Sequence, residues 1–120
     1  MGRKKDLIIR GGENIYPAEL EEWLLATGLV AEAAVVGQAD AVMGEVPVAF
    51  LVIAEGQTAE TVCAALAAEA ERSLARFKRP TAYHVLDALP RNPIGKIDKP
   101  AIRQRLAAAA ADGHHRRGSL

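Results

Sequence analysis

The strongest constraint on the fold is a strand–helix–strand pattern across residues 46–86. Val46 to Ile53 is an almost wholly apolar run that reads as a strand, with Pro47 at its start, where a missing N–H is tolerated. Thr58 can cap a helix running to about Leu74, with Val62, Leu66 and Ala70 one turn apart as its buried stripe. Cys63, beside that stripe, reads as a small hydrophobe. After the connection Ala75-Arg76-Phe77-Lys78-Arg79-Pro80, Thr81 to Leu86 alternates like a half-buried strand, with His84 as an ordinary strand residue. Strand, helix, strand in this order predicts a parallel crossover, and such crossovers are right-handed. Upstream, Ala33 to Val36 is a short strand, followed by a turn-rich connection from Gly37 to Gly44. A link that short favours antiparallel pairing with Val46 to Ile53. The expected fold class is α+β: a small mixed three-stranded sheet packed with about three helices, preceded by an N-terminal β-hairpin.

That hairpin is predicted from Leu7-Ile8-Ile9 and Asn14-Ile15-Tyr16 around the turn Arg10-Gly11-Gly12-Glu13. Two strands alone are marginal in water, so it must lean on the rest of the chain. Pro17 then suits the first turn of a helix, with Glu19, Glu21 and Glu22 near its positive end. Leu20, Trp23 and Leu24 form its apolar face, and Gly28 stops it. Trp23 is expected in the core. A last helix is expected from Pro100 to about Ala111, with Ile102 and Leu106 on one face and Asp112-Gly113 ending it. Residues 113–120 read as a disordered, solvated tail.

Composition excludes several classes of function. Fifteen basic and fifteen acidic residues cancel, so no overall field argues for nucleic acid or an anionic membrane. One cysteine forms neither a disulfide framework nor a cysteine metal cluster. The adjacent His114 and His115 make a poor metal site without further ligands, and no metal is assigned. No apolar run reaches membrane-spanning length, and residues 1–20 lack a signal peptide's hydrophobic region, so a soluble cytoplasmic chain is expected.

The stretch Leu89-Pro90-Arg91-Asn92-Pro93-Ile94-Gly95-Lys96-Ile97-Asp98-Lys99 cannot continue a helix and must be a loop. Lys96 directly follows Gly95. A lysine on such a loop is a point cation on a flexible stem, suited to a carboxylate or a phosphate.

Gly2-Arg3-Lys4-Lys5-Asp6-Leu7-Ile8-Ile9-Arg10-Gly11-Gly12-Glu13-Asn14-Ile15-Tyr16-Pro17-Ala18-Glu19-Leu20-Glu21 resembles the hinge and hairpin motif of adenylate-forming enzymes. Pro93-Ile94-Gly95-Lys96-Ile97-Asp98-Lys99 resembles that family's catalytic-lysine motif. Gly44-Glu45-Val46-Pro47-Val48-Ala49 and Phe77-Lys78-Arg79-Pro80 match in order between them, so the resemblance covers residues 2 to about 106. The chain is similar to the small C-terminal domain of acyl-CoA synthetases (AMP-forming). Gly-Gly-Glu-Asn-Ile-Tyr-Pro favours acyl- and aryl-CoA ligases. The alternatives are an adenylation-domain fragment of a peptide synthetase and a stand-alone docking module.

The resemblance implies a two-step reaction. A carboxylate attacks the α-phosphate of Mg-bound ATP to give an acyl-adenylate and pyrophosphate, and CoA thiolate then displaces AMP. It implies a mobile domain that turns between the steps, Lys96 being catalytic in the first and Gly11 and Gly12 bordering the CoA tunnel in the second. By the same match Lys5 is the hinge, and Arg3 and Asn14 are nucleotide-binding. The partner so implied is a large N-terminal AMP-binding domain holding the phosphate loop, acyl pocket and adenine pocket. Residues 1–112 are then the small mobile domain, beginning at the hinge. The chain is expected to be inactive alone, to bind neither ATP nor CoA tightly, and to self-associate through apolar surface at residues 7–16.

Overall fold

The computed structural model describes residues 7–107. Arg3, Lys5, the expected helix end near Ala111, the boundary at 112 and the tail 113–120 lie outside the described residues.

Strand β1 (Ile8–Arg10) and strand β2 (Glu13–Ile15) pair antiparallel, with Arg10 opposite Glu13 closing the predicted hairpin. Its two turn residues, Gly11 and Gly12, have φ of 55° and 88°, the left-handed pair that a two-residue hairpin turn requires. Helix α1 (Pro17–Ala26) follows, burying Pro17, Leu20 and Leu24 and half-burying Trp23. Strand β3 (Val30–Asp40) and strand β4 (Gly44–Ile53) form a long antiparallel pair. Helix α2 (Ala59–Ser73) carries the chain to strand β5 (Ala82–Val85), which lies parallel to β4 as the crossover pattern predicts. Thr58 caps α2 by accepting the Thr61 N–H at 3.3 Å, and Val62, Leu66 and Ala70 are its buried stripe. Arg76–Lys78 makes a single 3₁₀ turn before β5. Residues 99–107 form the last helix, α3, whose start Asp98 caps by accepting the Ala101 N–H at 3.1 Å.

β3 is longer than the expected Ala33–Val36, and the connection after it shrinks to residues 41–43. Residues 37–40 pair with 44–47 instead of turning. Gly37, which reads as a turn signal, sits inside the strand because a Cβ there would lie 3.2 Å from Ile8 Cγ1 and 3.1 Å from Glu45 Oε2. The reversal is made by Asp40, whose Oδ2 accepts the N–H groups of Val42 (3.1 Å) and Met43 (2.8 Å).

The mixed sheet of β3, β4 and β5 is present, and the hairpin joins it through Arg10 opposite Gly44, giving five strands among the described residues in the order β2-β1-β4-β3, with β5 also on β4. The hairpin therefore leans on β4. β4 is apolar from Val46 to Ile53 because both faces of the sheet are covered. Ala33, Val35, Ala49 and Leu51 pack with Ile8, Ile15, Leu20, Leu24, Val62 and Leu66, so α1 and α2 cover one face. Ala34, Val36, Val48 and Phe50 pack with Leu89, Ile102 and Leu106, so α3 and the segment before it cover the other. This alternation is the period-2 signature of a strand. Each fully buried leucine contributes about 1.5–3 kcal/mol relative to exposure. Cys63 is half-buried on α2, and burial pushes its thiol pKa up, which disfavours the reactive thiolate. No helix among the described residues is long and apolar enough to cross a membrane.

Candidate functional site

The lysine loop is folded tightly by its own backbone. Asn92 N donates to Lys96 O at 2.8 Å, Gly95 N to Asn92 O at 2.9 Å, and Asp98 N to Pro90 O at 2.8 Å. The Asn92 side chain closes the turn from inside: its Oδ1 accepts from Ile94 N (3.1 Å) and Lys96 N (3.0 Å). Gly95 has φ +88°, a value that a residue with a Cβ adopts only under strain. Arg91 reaches across, donating to Gly95 O at 2.9 Å and pairing with Glu32 Oε1 at 2.9 Å. Leu89 is buried before the loop, and Ile97 packs on the same cluster after it. Lys96 is thus fixed through its backbone, while its side chain is exposed. Among the described residues nothing pairs with its ammonium, which is free to meet an incoming anion.

The glycine hairpin is exposed at its turn, and Asn14 stands exposed on β2 opposite Ile9. Gly11 N donates to Met43 O at 2.7 Å, and a Cβ on Gly11 would lie 2.9 Å from Met43 Cε. A Cβ on Gly12 would meet nothing within 4 Å, so that position faces open space. Ile9 N donates to Glu45 Oε1 at 2.9 Å. The Arg10 guanidinium donates from Nη1 to Phe77 O (3.2 Å) and Arg79 O (3.4 Å). Ile8 and Ile15 are buried, whereas Ile9 and Tyr16 are 47% and 56% exposed, which leaves apolar surface where it was expected.

The structure brings Gly11, Gly12 and Asn14 together and leaves Lys96 elsewhere. The lysine loop is tied through Arg91 to Glu32, which lies opposite Val52, whereas the hairpin joins at Gly44. Those anchors are at opposite ends of β4, roughly 27 Å apart at about 3.4 Å per residue. Glu32 is also on the strand that flanks the other edge of β4. The two motifs therefore form two separate surfaces.

Sequence reading missed the residues that hold these surfaces in place. Asn92 carries a signal, since an asparagine in a Pro/Gly loop commonly accepts backbone N–H groups. Arg10 and the Arg91–Glu32 pair carry none, because these partners are remote in sequence.

The result is a small α+β module with a backbone-fixed, exposed lysine on one surface and a glycine turn on another. The chain belongs to the AMP-binding enzyme C-terminal domain family, whose model matches residues 19–96. It is 48% identical over 106 residues to a 2-succinylbenzoate–CoA ligase of Bacillus cytotoxicus, covering 88% of this chain and 21% of that protein. It is 47% identical over 108 residues to an indoleacetate–CoA ligase of Aromatoleum aromaticum, covering 88% and 20%. The fold matches that of o-succinylbenzoate CoA synthetase from Bacillus subtilis in complex with its acyl-adenylate intermediate, with a TM-score of 0.69, 45% identity, and coverage of 78% of this chain and 19% of that one. The family read from the terminal motifs is thereby borne out. The chain spans about a fifth of the length of the curated relatives it matches.

Proposed function

We propose that this chain is the mobile C-terminal domain, over residues 1–112, of an AMP-forming ligase that joins a carboxylic acid to CoA. The observation that carries this reading is the anchoring of Lys96 and the Gly11–Gly12 turn at opposite ends of β4. One orientation of the domain cannot offer both to a single reaction centre. A reaction in two steps, with the domain turned between them, uses both. The relatives are ligases acting on 2-succinylbenzoate and indoleacetate, and the solved neighbour holds an acyl-adenylate.

In the first step the Lys96 ammonium meets the substrate carboxylate and the α-phosphate of Mg-bound ATP as the acyl-adenylate forms and pyrophosphate leaves. Negative charge gathers on the phosphate oxygens in that transition state, and a cation held ready costs little reorganisation. In the second step the glycine hairpin borders the path of the CoA arm, whose thiolate attacks the acyl carbon and expels AMP. Asn14 and Arg3 contribute to the nucleotide site, and Lys5 is the hinge toward a large N-terminal domain.

The test is single-turnover measurement of each step in the whole enzyme that contains this chain. Lys96→Ala is expected to slow adenylation by roughly a hundred- to a thousandfold while sparing thioester formation from pre-made acyl-adenylate. Gly12→Trp is expected to do the reverse. Equal loss in both steps for both variants rejects the reading.

A further inference from the structure

The hairpin is held to the sheet by little of its own backbone. β1 meets β4 at one register pair, Arg10 with Gly44, and β5 takes over the same edge of β4 only from Val48. Pro47 falls in the interval. Its carbonyl accepts from Thr81 N at 2.8 Å, so the N–H it lacks would also have faced that edge. Across this gap Arg10 sends its guanidinium to the carbonyls of Phe77 and Arg79.

The turn that receives it is braced on two other sides. Arg79 donates from Nε to Leu74 O (3.0 Å) and from Nη2 to Glu71 O (3.2 Å), tying the turn to the end of α2. Lys78 Nζ lies 3.1 Å from Glu19 Oε2, tying it to α1. The turn is therefore a fixed frame.

Stability alone does not explain an arginine at position 10. Its Nε is buried without a hydrogen-bond partner, and among the described residues no carboxylate pairs with the guanidinium. A partly buried cation satisfied only by carbonyls is costly, and an apolar side chain of similar length avoids that cost. What the guanidinium supplies is direction, because the planar Nη1 group, with its N–H bonds fixed in the guanidinium plane and shared between two carbonyls, fixes an angle as well as a distance.

We propose that Arg10 is a positioning residue for the thioester-forming step, setting the angle at which the Gly11–Gly12 turn projects beside the Arg76–Lys78 turn. This rests on the reading of the hairpin given under Proposed function. Displacing a positioned backbone by about 1 Å is enough to cost a large factor in rate.

The experiment uses the whole enzyme with Arg10→Met, Arg10→Lys and Gly12→Trp, following both half-reactions in single turnover over a range of CoA concentrations. Arg10→Met is expected to slow thioester formation from pre-made acyl-adenylate by roughly ten- to a hundredfold, with adenylation within about twofold of the parent. Arg10→Lys is expected to recover part of that loss, since an ammonium can still donate to the carbonyls but its freely rotating N–H groups do not fix the angle. If Arg10→Met fails to fold, the same selective deficit in Arg10→Lys decides the matter. Equal loss in both steps, or parent rates in both, overturns the proposal. Selective damage by Gly12→Trp with a silent Arg10 series rejects Arg10 alone. Normal thioester formation in Gly12→Trp rejects the hairpin reading beneath it.

Discussion

The Glu21 carboxylate lies 2.8 Å from Lys99 Nζ, and the same Oε2 accepts the Val35 N–H at 2.8 Å. One side chain of α1 thereby satisfies an outward N–H of β3 and holds the first turn of α3, three residues beyond Lys96. Helices on opposite faces of the sheet are joined around its β3 edge. Both partners are largely shielded, at 21% and 18% exposed, so the pair contributes more than a surface ion pair does. Glu21→Ala is expected to cost about 1–2 kcal/mol and Glu21→Gln less, because glutamine keeps an acceptor for Val35. Urea denaturation midpoints should fall in the order parent, Gln, Ala. Indistinguishable midpoints would remove this role.

His84 stacks on Phe50 with ring centroids 4.8 Å apart and planes 24° apart. Burial lowers its pKa from the ordinary 6.5. A histidine whose folded pKa is depressed is held neutral, so the unfolded chain binds more protons in that window. Its stabilising share is complete above pH 6.5 and is lost as the pH falls from there through the lowered folded value. His84→Phe should flatten this part of the stability–pH curve, read from denaturation midpoints between pH 5 and 8, a span about the ordinary histidine range. An unchanged slope would assign the acid sensitivity to other groups.

The Tyr83 hydroxyl is buried and has no partner, and its pKa is pushed up to about 12, first by burial and then by Cys63 nearby. A buried hydroxyl left unpaired costs about 1–3 kcal/mol, while the ring packs well against the α2 side of the sheet. Tyr83→Phe keeps the ring and is expected to stabilise the fold by about 1 kcal/mol. A lower melting temperature for Tyr83→Phe would show that the hydroxyl has a partner in solution.

What the sequence made legible is local. The Thr58 cap, the Val62/Leu66/Ala70 stripe and the Gly-Gly hairpin each depend on neighbours within one turn, and each is found. The parallel crossover follows from element order alone. The extent of β3 was hidden because Gly37 and Asp40 signal turns, while hairpin pairing with Pro47 and Gly44 decides that Gly37 to Asp40 remain strand. Glu21 reads as a helix-dipole residue from its position, yet its partners are Val35 and Lys99. Lys96 was visible through its motif. The supports that hold it were not, because Glu32 lies far upstream of Arg91 and no local pattern links them.

Asn92 supplies the clearest test of how Lys96 is presented. Its Oδ1 accepts two N–H groups, of Ile94 and Lys96, and its own backbone N donates to Lys96 O. Asn92→Ala removes the side-chain acceptor and leaves the backbone bond, so the loop survives with its turn loosened. The exposed loop packs little against the core, so global stability should change by less than about 1 kcal/mol. The Lys96 ammonium, however, loses the fixed starting point that makes its placement cheap. Adenylation by the whole enzyme is expected to fall by roughly tenfold or more, less than for Lys96→Ala, with thioester formation near the parent rate. Asn92→Asp retains the acceptor and should restore most of the loss. Measured in single turnover, full adenylation in Asn92→Ala would show that the backbone bonds alone hold Lys96. Equal loss in Asn92→Ala and Asn92→Asp would mean that the amide acts through something other than accepting the Ile94 and Lys96 N–H groups.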